Sequence, residues 1–260
     1  SVNGGGGNAQ TPPILASPTM QQRKNVEQFE SERTERINER ITREDQLAKI
    51  QADWEKIKIQ ELEKTETWVP LETENVSARN SEIEKLPDGS LLVRPRDPES
   101  PPINDTYKII SGVANRKTDQ TIAALRLDVL RHKTFADSLS HADSGNFVLT
   151  EINLRIVDEK GSPTREASEV ISSSEASFEQ GSLVIEASYD GDPKSGWAVY
   201  EGGRVSKDHA ALYRFDPPLK LRPTERLEIT LSHDSVHEKH NIGRFLLSST
   251  TDPSLELGNS

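Results

Sequence analysis

The chain has 260 residues, a net charge of −11 and only 32% hydrophobic residues, against roughly 45–50% in an ordinary domain. So acidic a balance argues against a nucleic-acid partner, whose phosphates require a cationic surface. No apolar run is long enough to span a bilayer, and the absence of cysteine removes disulfides and thiolate metal sites.

Residues 1–18 hold four consecutive glycines and then Thr11-Pro12-Pro13, which is linker composition. The chain opens without Met or a secretory signal pattern, and is expected to be a piece of something larger. Thr19 followed by Gln22 has the spacing of a capping box. A highly charged helical spacer is therefore predicted over 19–66. Apolar residues recur along it at Val26, Phe29, Ile37, Ile41, Leu47, Ile50, Trp54 and Ile57, mostly in steps of three or four. That narrow stripe reads as a coiled-coil-like spacer reaching roughly 60–70 Å if continuous at ~1.5 Å per residue. A helix so long and thin requires a partner, or it folds back near Thr42.

From Trp68 the texture changes to short strands and turns. Asp88-Gly89 is a strong hairpin signal ahead of Leu91, Leu92 and Val93. Further strands are predicted at 106–110, 122–130, 147–157, 182–189, 210–215, 226–232 and 242–250. In the 226–232 segment Leu227, Ile229 and Leu231 alternate with Glu228 and Thr230, one face in the core and one in water. Such a series without intervening helices predicts an antiparallel β-sandwich over 67–253, with a tail at 254–260. In the final strand Gly243, Phe245 and Leu247 should face the core and Arg244 the outside. Arg126, Asp128 and Glu151 would form a cross-strand ion ladder if their strands are neighbours.

The candidate chemistry lies in loops. Trp197, in Lys194-Ser195-Gly196-Trp197-Ala198, would either stack on the apolar face of a sugar ring or plug one end of the sandwich. His209, His240 and Asn241 would supply polar contacts to hydroxyls, and Arg244 a charge for a sulfate or uronate. The site is expected at the end carrying the Trp197 loop and the 233–241 loop. His233, His237 and His240 have zinc-like spacing only if helical, and here they fall in a hairpin loop. No cofactor is expected beyond a structural calcium, for which Asp190-Gly191-Asp192 and Asp143-Ser144-Gly145-Asn146 offer oxygen ligands. No nucleophile elbow or phosphate-binding loop is present, so no enzyme is expected.

Taken together, Trp68–Leu71, Asp88–Ser90, Asp105–Tyr107, 122–130, Gly145–Ile152, Gly196–Ala198, His209-Ala210, His240–Arg244 and Thr250–Pro253 carry a resemblance. The chain resembles the module between two conserved domains of unknown function in large exported planctomycete proteins associated with cytochrome c domains. That module is similar to galactose-binding, discoidin-type jelly rolls, whose Leu-x-Glu-Ile-x-Val strand is echoed by Leu149–Leu154. The resemblance implies a periplasmic or cell-surface location, polysaccharide and the flanking domains as partners, and no membrane insertion. Two functions stand open. One is a non-catalytic carbohydrate-binding module that anchors its parent to extracellular polysaccharide. The other is an interaction and spacing module with no ligand of its own.

Overall fold

The computed structural model describes residues 17–64, 68–112 and 117–258; nearly all of the glycine-rich linker lies outside them. The chain forms two compact units, one ending at Thr65 and one beginning at Glu66. The first is a single helix, α1 (Met20–Lys64). Its start is the capping box: the Thr19 backbone N–H donates to Gln22 Oε1 at 2.9 Å, and the Gln22 N–H donates to Thr19 Oγ1 at 3.2 Å. The helix does not fold back at Thr42. Thr42 remains helical, its hydroxyl donating to the Asn38 carbonyl one turn earlier. No Gly or Pro interrupts the run, so nothing breaks the hydrogen-bond ladder. No described helix is long and apolar enough to cross a membrane.

The second unit is an antiparallel β-sandwich. Its described strands are β1 (Val69–Pro70), β2 (Thr73–Ala78), β3 (Ser81–Lys85), β4 (Leu91–Pro95), β5 (Thr106–Ser111), β6 (Gln120–Val129) and β7 (Val148–Leu149). They continue with β8 (Glu151–Val157), β9 (Pro163–Glu166), β10 (Ile171–Ala176), β11 (Trp197–Ala198), β12 (His209–Leu221), β13 (Arg226–Ser232) and β14 (Arg244–Thr250). One sheet runs β10-β12-β6-β14-β4-β3, with β1 on β14; the other runs β2-β5-β13-β8-β9; β7 and β11 form a small ribbon. Within these, the orders β4-β14-β6-β12 and β5-β13-β8-β9 are the winding of a jelly roll, in which the chain repeatedly crosses from one sheet to the other.

Alternation builds the core. Tyr107 and Ile109, Leu125, Leu127 and Val129, Ile152, Leu154 and Ile156, and Leu227, Ile229 and Leu231 all point between the sheets and are buried. Phe245 and Leu247 join them as the pattern predicts, with Arg244 between Gly243 and Phe245 only half-buried. Gly89, at φ +84°, closes the β3–β4 hairpin in a conformation that side chains with a Cβ resist.

Beyond the two-residue β1 and β11, four longer strands escaped the sequence pattern: β2, β3, β9 and β10. Each lies at a sheet edge and is mostly solvent-facing. An edge strand has one neighbour and little core contact, and polar residues there block further pairing. The predicted strand at 182–189 is corrected to a 3-10 turn, Ile185–Ser188, in which the Ser188 hydroxyl donates to the Ile185 carbonyl at 2.6 Å. The ion ladder is also corrected. β6 and β8 belong to different sheets, so Glu151 does not join Arg126 and Asp128, which pair with each other at 2.8 Å.

The tail is not free. Leu257 is buried on the outer face of β6 and β12 with Ala124, Ala210 and Leu212, and Trp68 packs beside it. Arg126 donates to the Leu257 carbonyl at 2.5 Å and lies 6.0 Å from the Trp68 ring centre. Arg214 holds the Pro253 and Leu255 carbonyls at 3.2 and 3.1 Å.

Candidate functional site

Strand register gathers the long loops at one end of the sandwich. Val129 pairs with both His209 and Phe245, and Ser232 pairs with both Thr106 and Glu151. The 130–147, 199–208 and 233–243 segments therefore emerge together. Backbone bonds tie them: the Val148 N–H donates to His240 O at 2.9 Å, and Gly243 N–H to Leu139 O at 2.8 Å. The 233–241 loop singled out from sequence thus lies among these segments, but the side chains there divide into separate groups.

Trp197 has no accessible surface. Its ring meets Phe147 edge-on at 4.9 Å, and its Nε1–H donates to the Phe178 carbonyl at 2.8 Å. Gly196, at φ +153°, lets the chain pass so close to β7 that a Cβ there would sit 2.6 Å from Leu149 O. The expectation of a sugar-stacking face at Trp197 is corrected: of the two roles its sequence context left open, the ring fills the core plug. Nearly all of its affinity for an apolar surface is already satisfied inside the protein.

The other expected residues have distinct local duties. His209 is buried, with Nδ1 3.1 Å from Ser177 Oγ, and burial lowers its pKa. His240 Nδ1 lies 2.8 Å from Glu238 O, and its ring centre is 5.5 Å from that of His237. Asn241 Nδ2 donates to Pro102 O at 2.8 Å, leaving its buried Oδ1 without a partner. Arg244 bonds Ser90 Oγ at 2.9 Å and the Asp88 carboxylate, whose pKa is lowered chiefly by the Ser90 hydroxyl. These contacts lace the 86–90, 99–105 and 233–243 segments onto the sheets.

Nor do the three loop histidines converge. His233 is buried, its ring 4.7 Å from Tyr107, its Nδ1 3.2 Å from Asp105 O and its Nε2 without a partner. Burial pushes its pKa down to about 4. Among the described residues no group of three His, Asp or Glu side chains is placed to hold a metal ion. Asp190 and Asp192 cap their own turn, accepting from the Asp192 and Lys194 N–H groups at 2.8 and 2.9 Å. Asn146 likewise spends its amide on Gln180 and Val199.

What sequence reasoning missed is the loop just past Trp197. A cavity of about 320 Å³ is lined by Val199, Glu201, Gly202, Arg204, Lys207 and His209, among others. Glu201 and Lys207 pair at 3.2 Å. The loop is held in place from beneath. Arg204 donates to the Asp143 and Phe135 carbonyls at 2.7 and 2.9 Å, Val205 N–H to Ser144 O at 2.8 Å, and Ser138 Oγ to Val205 O at 2.6 Å. Tyr200, 38% exposed, is the exposed aromatic of the sandwich among the described residues. Its signal in the sequence was an aromatic directly before Glu201-Gly202-Gly203. No known family, curated protein or solved structure matches this chain. The chemistry of the loop end is therefore read from its own residues: a preformed polar recess offering a carboxylate, an ammonium and a ring nitrogen, with an exposed phenol ring in the same loop.

A second polar group lies under the 185–196 loop. Ser188 Oγ and Tyr213 Oη are 2.9 Å apart, and Ser174 Oγ and Tyr189 Oη 3.0 Å. Glu151 approaches this loop, taking a backbone bond from Gly191, while its buried Oε2 has no partner. Burial raises its pKa to about 7 against the opposing pull of that bond, and Asp190 adds to the rise.

Proposed function

We propose that the sandwich is a non-catalytic carbohydrate-binding module whose ligand sits at the loop end, in the recess of the Val199–His209 loop. The observation that carries this reading is the anchored polar cavity with Tyr200 exposed in the same loop. Sugar recognition requires an aromatic face for C–H groups and a few fixed donors and acceptors for hydroxyls. Tyr200 supplies the first; Glu201, Lys207 and His209 supply the second. Lys207 also suits a uronate or sulfate. The module would serve a larger exported protein, at the cell surface or in the periplasm, holding it to extracellular polysaccharide.

The test is binding of the full chain to an array of neutral, uronic and sulfated polysaccharides, followed by titration of the best ligand. Tyr200→Ala and Lys207→Ala should each weaken binding at least about tenfold, roughly 1.4 kcal/mol, with an unchanged melting temperature. Binding that survives both substitutions would refute the site, and an array without hits would refute the function. The alternative, an interaction and spacing module with no ligand of its own, is favoured by the exposed apolar stripe of α1.

A further inference from the structure

The stripe on α1 is more regular than its apolar residues alone reveal. Val26, Phe29, Leu47, Ile50 and Trp54 are all between 54% and 65% exposed. Between the first two and the last three, the same alternation of three- and four-residue steps continues through Arg33, Arg36, Arg40 and Arg43. Nine successive seam positions of a heptad pattern thus read apolar, then four arginines, then apolar, on one uninterrupted helix. Phe29, Glu32, Arg33, Arg36, Ile37 and Arg40 lie side by side along this part of the helix surface. Among the described residues only Arg40 of the four forms an ion pair, with Glu44 at 3.5 Å, and both of those side chains are well exposed.

We propose that this face docks a separate polypeptide, an amphipathic helix whose own seam is apolar at both ends and acidic in the middle. Charge decides the occupant. A second copy of α1 is the obvious competitor, yet both of its apolar registers fail. In parallel register Arg36 and Arg40 face their own counterparts. In the antiparallel register centred on Asn38, Val26 meets Ile50 and Phe29 meets Leu47, but Arg33 then meets Arg43 and Arg36 meets Arg40. Stacking the apolar ends forces arginine onto arginine either way, and like charges facing each other in a seam oppose pairing. Glu30, Glu32, Glu39 and Glu44 flank these seam positions and offset part of this charge, but none of them lies on the seam itself. An acidic seam turns the same four residues into partners, their stems covering apolar surface while the guanidinium groups reach carboxylates. The pattern selects by repulsion as much as by attraction.

The experiment uses the full chain and two synthetic peptides spanning residues 20–56. One has the native sequence; the other carries Arg33→Glu, Arg36→Glu, Arg40→Glu and Arg43→Glu. The full chain should sediment as a monomer and bind the charge-reversed peptide at least about tenfold more tightly than the native one. That preference should shrink as salt shortens the Debye length toward ~3 Å. A full-chain Arg36→Glu/Arg40→Glu variant should lose the preference, with its sandwich melting unchanged because both residues are exposed on the other unit. Equal binding of the two peptides, or a full-chain dimer that Leu47→Glu dissociates, would assign the face to a second copy and overturn the proposal. Failure of the charge-reversed peptide to bind would overturn it as well. None of these outcomes depends on glycan binding at the loop end.

Discussion

Replacing Trp197 by alanine separates a structural residue from a ligand-binding one. The ring is fully enclosed, packed edge-on against Phe147 and hydrogen-bonded to Phe178 O. Removing a buried Trp side chain costs about 3–5 kcal/mol in lost transfer energy and residual cavity. The stranded Phe178 carbonyl contributes to that loss, since an unsatisfied buried acceptor alone costs roughly 1–3 kcal/mol. For a domain of this size each kcal/mol moves the midpoint by about 2–4 °C, so Trp197→Ala should melt roughly 6–20 °C below the native chain. Trp197→Phe, which keeps most of the ring volume but loses the N–H, should fall between. The assay is thermal unfolding followed by circular dichroism at a strand-sensitive wavelength, to which α1 contributes separately. A midpoint within about 2 °C of the native chain, at most about one kcal/mol on that scale, would refute the plug reading and return Trp197 to the binding surface.

Three further outcomes follow from the geometry. His233 is held neutral with its pKa near 4, below its unfolded value of 6.5. The unfolded chain therefore binds a proton first, and stability present above pH 6.5 is lost as pH falls toward 4. His233→Gln should remove about 3 kcal/mol of that acid-side loss, read from urea unfolding at pH 7 and 4; parallel curves for both proteins would disprove it. Glu151 behaves in the opposite sense: with its pKa raised from 4.5 to about 7, the fold retains a proton that the unfolded chain releases, so its contribution weakens as pH rises across that window. Allowing for the solvent that reaches part of the side chain, Glu151→Gln should stabilise by about 1–2 kcal/mol at pH 8 and by nothing at pH 4, and a gain equal at both pH values would count against burial as the cause. Leu257→Ala should cost about 2–4 kcal/mol and raise the solvent exposure of Trp68, seen as a red shift in emission; an unchanged melt and spectrum would mean that the tail does not seal the outer face.

Most of the jelly roll was legible because its central strands bury one whole face, and burial writes itself into the sequence as alternation. Leu227, Ile229 and Leu231 in β13, or Phe245 and Leu247 in β14, announce both strand and orientation. The edge strands were not legible, since Thr73–Ala78 and Ile171–Ala176 face mostly water and carry no such mark. At the loop end the sequence offered Trp197 as an exposed candidate, and the structure buries it. A tryptophan beside glycine reads alike whether its ring faces out or in, and only the approach of Phe147 and the Phe178 carbonyl decides. Tyr200, three residues later, is left outside.

The sequence by itself determined the division into helix and sandwich, the start of α1 at its capping box, and the antiparallel class of the second unit. Each of these follows from local spacing: three to four residues for a helix face, two for a strand, and an Asp-Gly step for a tight turn. Tertiary structure alone decided which strands are neighbours. It thereby separated Glu151 from Arg126 and Asp128, buried His233 and Trp197, and anchored the Val199–His209 loop on carbonyls of the 135–144 segment. Those outcomes depend on contacts between residues tens of positions apart. No periodicity encodes them, because each partner is chosen by the winding of the two sheets and not by its neighbours in the chain.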